Sequence, residues 1–373
     1  MTSNIVTIDL SALRHNFKTV KEWIGPSARI LCVVKSDAYG HGMLPAAKVL
    51  ESIGTDYFGV FEAEEGIALR EAGIRTPTLV LKGIDADEIP AVVEYDLTPG
   101  VFDLSITEQL SDYALRYGKV VPIHIKVDTG MGRLGVPCEK ASAFIKMLLH
   151  MKGVMPTGIF SHFSVADEPG HPFTDVQLER FQKVVAVAHD LGIKNPQIHI
   201  ANSGAILNQK WLKNHLFRPG IILYGSPPSG VCQHIDKLKP VMSFRSRVIQ
   251  VKAVPPGTSI SYGRTYTAEA QRVIATIPVG YDDGYSRLLS NKGSVLIRGK
   301  RAPIVGTVCM NLTMVDVTDI GGISPGDEVV LLGRQSTDCI TAEEIAEQIG
   351  TISYEVYCTI GKSNKRYYVG DLA

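Results

Sequence analysis

The sequence predicts an α/β protein, a (β/α)8 TIM barrel followed by a C-terminal all-β domain. Three observations carry this. Eight short apolar, β-branched runs alternate with helix-length amphipathic segments, the pattern of parallel strands joined by crossover helices. The texture changes after about residue 235 to strand, turn, strand. Eight strands with their helices within about 225 residues is the arithmetic of such a barrel. A doubly wound open sheet is the structural alternative for the first part.

In chain order, residues 1–10 predict an N-terminal strand that packs with the C-terminal domain, and 11–235 the barrel. The runs are RILCVVK (29–35), YFGVF (57–61), TLVLK (78–82), LTPGVF (97–102), PIHIKVD (122–128), PTGIFSHF (156–163), QIHIAN (197–202) and HLFRP (215–219). Between them, MLPAAKVLESIG, EAEEGIALREAG, ITEQLSDYALRYG and VQLERFQKVVAVAHDLG space apolar residues by three and four and end at glycine, as helices do. Residues 236–373 predict the β domain, with strands in FRSRVIQVKAV, QRVIATIPVG, GSVLIRG, RAPIVGTV, TMVDVTD and GDEVVLLG. Turn signals at VPPGTS, NKG, RGKR and SPGDE separate them. One helix, TAEEIAEQIG, opens on Thr341 with Glu344 three residues on, a capping box.

Composition narrows the function. The 38 basic residues cancel the 38 acidic ones, so no global field draws the chain to nucleic acid or an anionic membrane. No apolar run reaches the roughly 18 residues of a membrane span, and the opening MTSNIVTIDL has no signal-peptide pattern, so a cytoplasmic location is expected. The six cysteines show no C-x-x-C spacing, which points away from zinc and dithiol chemistry and toward reduced thiols. No metal site is expected.

At the strand ends stand Lys35, Lys126, His162, Asn202, Ser203 and Arg218. A lysine ending an apolar strand is neutralised, paired or used covalently, because burying its charge is costly. Lys35 precedes SDAYGHG, whose small residues let backbone approach a ligand beside Tyr39 and His41. A desolvated lysine forms imines, the starting point of pyridoxal phosphate (PLP) chemistry. Ser203, Gly220 and Ile221 lie in the loops after strands seven and eight, where barrels bind phosphate. Arg218 keeps its charge, so beside a pyridine nitrogen it would leave that nitrogen unprotonated and weaken the ring as an electron sink.

Nine ordered motifs, VVKSDAYGHG, KVDTGMGRLG, SHF, HIANSGA, FRPGIILYG, SYGRTYTA, GYDDGYSR, VCMNLTMVDV and TISYEV, closely resemble those of alanine racemases, PLP enzymes of fold type III. The resemblance implies racemisation of alanine, supplying D-alanine for peptidoglycan. It implies that Lys35 holds PLP covalently, that Tyr39, Ser203, Gly220, Ile221 and Tyr354 receive its phosphate, and that Arg218 faces the pyridine nitrogen. It implies a head-to-tail homodimer in which Tyr262 and Met310 reach the other subunit's cofactor. Lys35 and Tyr262 would be the two bases, lysine acting on the D enantiomer and tyrosine on the L. A phenol is a poor base at neutral pH and needs support, for which His162 and Arg218, with His199 behind it, are the candidates. Arg133 would meet the substrate carboxylate, held by a carbamate on Lys126, and Tyr281 with Tyr354 would narrow the mouth.

Two positions depart from the family pattern. Asn311 replaces a frequent aspartate, removing a negative charge near the carboxylate pocket, and Ser286 replaces a frequent proline. Serine or broader small-residue racemisation is the nearest alternative. A fold type III decarboxylase is disfavoured by Arg218, where such enzymes carry glutamate. A non-catalytic PLP carrier is disfavoured by the second domain, and a metal-dependent amidohydrolase barrel by the lack of H-x-H on strand one.

Overall fold

The computed structural model describes residues 4–208, 216–232 and 235–370. Residues 1–3 of the N-terminal segment and His215 at the head of the eighth run lie outside them. Eight parallel strands, Arg29–Val33, Tyr57–Val60, Thr78–Val80, Thr98–Val101, Val121–Asp128, Val154–Phe160, Gln197–His199 and Leu216–Phe217, form one curved sheet. Leu216–Phe217 pairs back onto Arg29–Val33, and the Arg218 amide donates to the Ala201 carbonyl at 3.0 Å, so the sheet closes nearly to a barrel.

The strands are buried because both faces are covered. Four of the five residues in Arg29–Val33 are buried, each large aliphatic contributing about 1.5–3 kcal/mol of transfer free energy. The barrel axis is filled by rings as well as aliphatics. Gly100 and Gly158 leave room for the rings of Phe160 and His124, since a Cβ at those positions would come to 3.0 Å and 2.5 Å of them.

Around the barrel lie helices including Leu10–Ile24, Met43–Ser52, Ala63–Glu71, Leu104–Arg116, Ala141–Leu148 and Pro172–Asp190. Asp9 caps the first, accepting from the amides of Ser11 and Ala12.

The C-terminal part holds a sheet ordered Lys300–Pro303, Ser294–Ile297, Glu328–Gln335, Met242–Arg247, Ile5–Asp9 and Arg366–Val369. Ile5–Asp9 runs antiparallel to Met242–Arg247 and parallel to Arg366–Val369. The same part holds a three-stranded sheet, Gln250–Val254, Arg272–Ile277 and Thr313–Asp316, and a small hairpin, Ser259–Ile260 with Tyr266–Thr267.

Two details differ from the sequence reading. The domain contains a second helix, Ser353–Ser363, in a stretch whose mixed β-branched and aromatic residues gave no clear period. Thr341 does cap Ala342–Ile349 by accepting from the Glu344 amide, but the Glu344 carboxylate turns to Arg301. An ion pair has taken the second half of the capping box.

Candidate active site

A cavity of about 760 Å³ opens at the carboxyl ends of the barrel strands, lined among others by Lys35, Tyr39, Lys126, Arg133, His162, Ser203, Arg218, Gly220, Ile221 and Tyr354. Four basic side chains, Lys35, Lys126, Arg133 and Arg218, face it against the carboxylate of Asp167. That balance suits a dianionic ligand.

Lys35 follows the first barrel strand, its Nζ 5.6 Å from the ring centroid of Phe61. Burial, and then the nearby charge of Arg133, lowers its pKa below the ordinary lysine value, which raises the supply of neutral amine. The next four residues, Ser36 to Tyr39, all have φ between 53° and 55°, one turn of left-handed helix built without glycine. That conformation costs roughly 1–2 kcal/mol per residue, so its surroundings must enforce it.

The turn delivers the buried Tyr39 hydroxyl against Gly220, where a Cβ would lie 2.4 Å from it. The Gly220 amide donates to Ser203 Oγ at 3.0 Å, and the Tyr354 ring sits 5.7 Å from that of Tyr39. Burial raises the phenol pKa of both tyrosines, keeping them as neutral donors. Hydroxyls and backbone thus converge as in a phosphate cradle with no room for a side chain at position 220.

Arg218 is buried and donates to carbonyls at His199 (2.8 Å), Ser161 (2.7 Å) and Ile200 (3.2 Å), and to ring nitrogens of His199 (3.0 Å) and His162 (3.3 Å). Burial brings its pKa down to about 9, still above neutrality, so the charge persists. Its hydrogen-bond partners are all neutral. His162 and His199 are held well below the usual imidazole value by burial and by Arg218. Both are therefore neutral acceptors toward the guanidinium.

Lys126 donates to the Leu81 carbonyl at 2.6 Å, and burial followed by the charges of Arg133, Arg218 and Lys35 pulls its pKa to about 7.

Tyr262, Met310, Tyr281 and Asn311 lie elsewhere. Tyr262 is 72% exposed, between Ser261 and Gly263 with φ of 66° and 72°. Thr307 Oγ1 donates to the Tyr262 carbonyl at 2.8 Å, and Ser261 Oγ donates to the Thr307 carbonyl, tying this turn to the loop that carries Met310. The Tyr281 amide donates to the Cys309 carbonyl, and Asn311 Nδ2 to Asp282 at 3.3 Å. These residues form one exposed cluster on the β domain, and none of them lines the Lys35 cavity.

Residues 8–228 match the alanine racemase N-terminal domain and 241–368 the alanine racemase C-terminal domain. The chain belongs to the alanine racemase family. An alanine racemase of Syntrophobacter fumaroxidans is 46% identical over 373 residues, covering 100% of this chain and 99% of that one. One from Geobacter sulfurreducens is 47% identical, covering 98% and 97%. Among solved structures, the alanine racemase of D-cycloserine-producing Streptomyces lavendulae superposes with a TM-score of 0.93 at 33% identity, covering 100% of this chain and 98% of that one. That of Bartonella henselae, with covalently bound pyridoxal phosphate, superposes at 0.90 with 30% identity, covering 99% and 100%.

Sequence reasoning missed several groups that shape the site. His124 meets His199 across the lumen, Glu65 and Asp37 fasten the left-handed turn, and Phe61 and Phe160 flank the lysines. His124 alone had a visible signal, since it stands two residues before Lys126 and shares its strand face.

Proposed function

We propose that this chain interconverts L- and D-alanine with pyridoxal phosphate as cofactor, Lys35 and Tyr262 moving the protons. The observation that carries the reading is the pairing in one cavity of a desolvated lysine with a buried arginine bonded to neutral partners. The residues fit the cofactor. Lys35 would bond its aldehyde carbon, Tyr39, Ser203, Tyr354 and the backbone at Gly220 and Ile221 would take the phosphate, and Arg218 would face the ring nitrogen.

When bound, pyridoxal phosphate supplies an electron-withdrawing ring that acidifies the substrate Cα–H bond. Arg218 cannot give up its proton to the ring nitrogen, which restrains electron storage in the ring and so disfavours transamination. Lys35 Nζ, released when the substrate amine takes its place and poised by its lowered pKa, would take the α-proton of the D enantiomer on one face and in the reverse direction return it there. Inversion needs a second acid–base group on the opposite face. Tyr262 Oη of a second copy is assigned that role, because its exposed ring lies outside the cavity of its own chain. Met310 would reach the substrate from the same partner, and Tyr281 would narrow the mouth opposite Tyr354.

Arg133 takes the substrate carboxylate. Lys126, with neutral amine available near pH 7, is set up to attack carbon dioxide. The Nζ–C bond forms, Nζ loses a proton, and the resulting carbamate anion would steady Arg133 where a second cation would repel it. Asn311 takes a negative charge out of the same neighbourhood.

The test is an absorbance scan of the purified protein with a chiral assay. Bound pyridoxal phosphate fixed by borohydride to Lys35, and equilibration of either alanine enantiomer toward equal amounts, are expected. A colourless protein that leaves both enantiomers unchanged would refute the proposal. Serine tested alongside sets the breadth of the pocket.

A further inference from the structure

We infer that Arg366, at the head of the strand Arg366–Val369, is a positioning residue that acts with Asp37 to hold the left-handed turn carrying Tyr39 in its cofactor-binding shape. The inference rests on the reading above that Lys35 and Tyr39 hold pyridoxal phosphate.

Ser36, Asp37, Ala38 and Tyr39 occupy a backbone region that L-residues visit singly, not as a helical turn. Of SDAY only Asp37 tolerates this region, and then singly, so the turn needs fasteners from outside. Glu65 tethers the start, accepting from the amides of Ser36 (2.6 Å) and Phe61 (2.7 Å). Beneath it His41 Nδ1 lies 3.0 Å from both the Ala38 and Tyr39 carbonyls, so that nitrogen carries the proton and donates. Its ring is fixed by stacking on Tyr224 at 4.6 Å.

The far end is closed by charge. Asp37 Oδ1 accepts from the Met43 amide at 2.7 Å, and Asp37 Oδ2 accepts from Arg366 Nη1. The same Nη1 donates to the Gly40 carbonyl at 3.0 Å, the residue immediately after the turn. Arg366 therefore bridges the turn's side chain and its exit. Glu65 and His41 lie within 30 positions of the turn, whereas the Arg366 bond to Asp37 spans 329 positions of sequence. Arg366 also stands opposite Val6 in the terminal sheet. Without it, Asp37 loses its cation and Gly40 a donor, and the turn can unwind toward right-handed backbone, withdrawing the Tyr39 hydroxyl from Gly220.

The test compares wild type with Arg366→Met and with Arg366→Met carrying Ser36→Gly. Ser36 is exposed, and glycine adopts positive φ freely, so that second change relaxes the turn without disturbing packing. Amide hydrogen exchange is followed over residues 36–43 in both cofactor-loaded and cofactor-free protein, and pyridoxal phosphate release is followed by absorbance. The expected result for Arg366→Met is exchange over 36–43 and cofactor release each faster by about ten-fold, with barrel strands exchanging as in wild type. Ser36→Gly should recover part of both. Unchanged exchange over 36–43, a rise spread equally over the whole chain, or no recovery with Ser36→Gly would overturn the inference. A wild type that takes up no pyridoxal phosphate would sink the functional reading instead, while the exchange measured on cofactor-free protein would still judge the latch.

Discussion

Arg218 Nη1 lies 3.0 Å from His199 Nδ1, and this contact sets the protonation of two buried rings. A guanidinium only donates, so His199 Nδ1 accepts and its proton sits on Nε2. That Nε2 lies 2.9 Å from His124 Nδ1, which must therefore accept, leaving the His124 proton on its own Nε2. Burial pulls the His124 pKa down to about 3, so the ring stays neutral. The chain of bonds points every proton away from the arginine.

Replacing Arg218 with glutamate reverses this order. A carboxylate cannot donate to the carbonyls of Ser161, His199 and Ile200, so a loss of roughly 3 kcal/mol or more in stability is expected, read by calorimetry. In the fraction that folds with cofactor, a protonated ring nitrogen should raise pyruvate formed by transamination. An unchanged ratio of pyruvate to racemised alanine would contradict the electronic role of Arg218.

Lys126 predicts a dependence on both pH and carbon dioxide. Its folded pKa, about 7, lies below the unfolded value near 10.5, so between those pH values the unfolded chain binds more protons and stability rises with pH. In CO2-free buffer the melting temperature should climb from pH 7 to 9. Bicarbonate should raise the melting temperature and start that climb at lower pH, because carbamate formation also releases a proton, and Lys126→Met should remove the response to bicarbonate. A wild-type profile that ignores bicarbonate would argue against the carbamate.

Division of the site between two chains is testable by mixing. Lys35→Ala and Tyr262→Ala are each expected to lose nearly all racemisation, the second with selective loss of proton exchange from the L enantiomer. Refolded together in equal amounts, half the dimers would be mixed and one site in each intact, restoring about a quarter of wild-type activity. No recovery would place both residues in the same chain's site, or Tyr262 outside it.

Gly220→Ala probes the cradle directly, since this residue stands against the Tyr39 hydroxyl. The new methyl would displace the Tyr39 hydroxyl, and cofactor affinity should fall by about ten-fold while overpacking lowers stability by about 1–3 kcal/mol. Equal affinity would show that Tyr39 and Gly220 do not meet the phosphate together.

The barrel was legible because each of its strands is an apolar run bounded by turns, and the residues ending those runs do meet in one cavity. Lys35, Ser203 and Arg218 could be found by position alone. The left-handed turn could not, because local propensity argues against it and its fasteners include Arg366, far away in sequence. The helix bearing Tyr354 was missed for want of a clear period. What Tyr262, Met310 and Tyr281 do depends on a surface facing outward, about which one chain's periodicity carries no information.

Residues 5–9 lie between 242–247 and 366–369 in a single sheet. The ribosome therefore makes this inner strand long before either neighbour, so residues 5–9 stay unmatched until 242–247 emerge and half-matched until 366–369 follow. Chains that lack residues 366–369 would expose a ready edge on residues 5–9, and clumping of such shortened chains, more than simple loss of catalysis, is the expected signature.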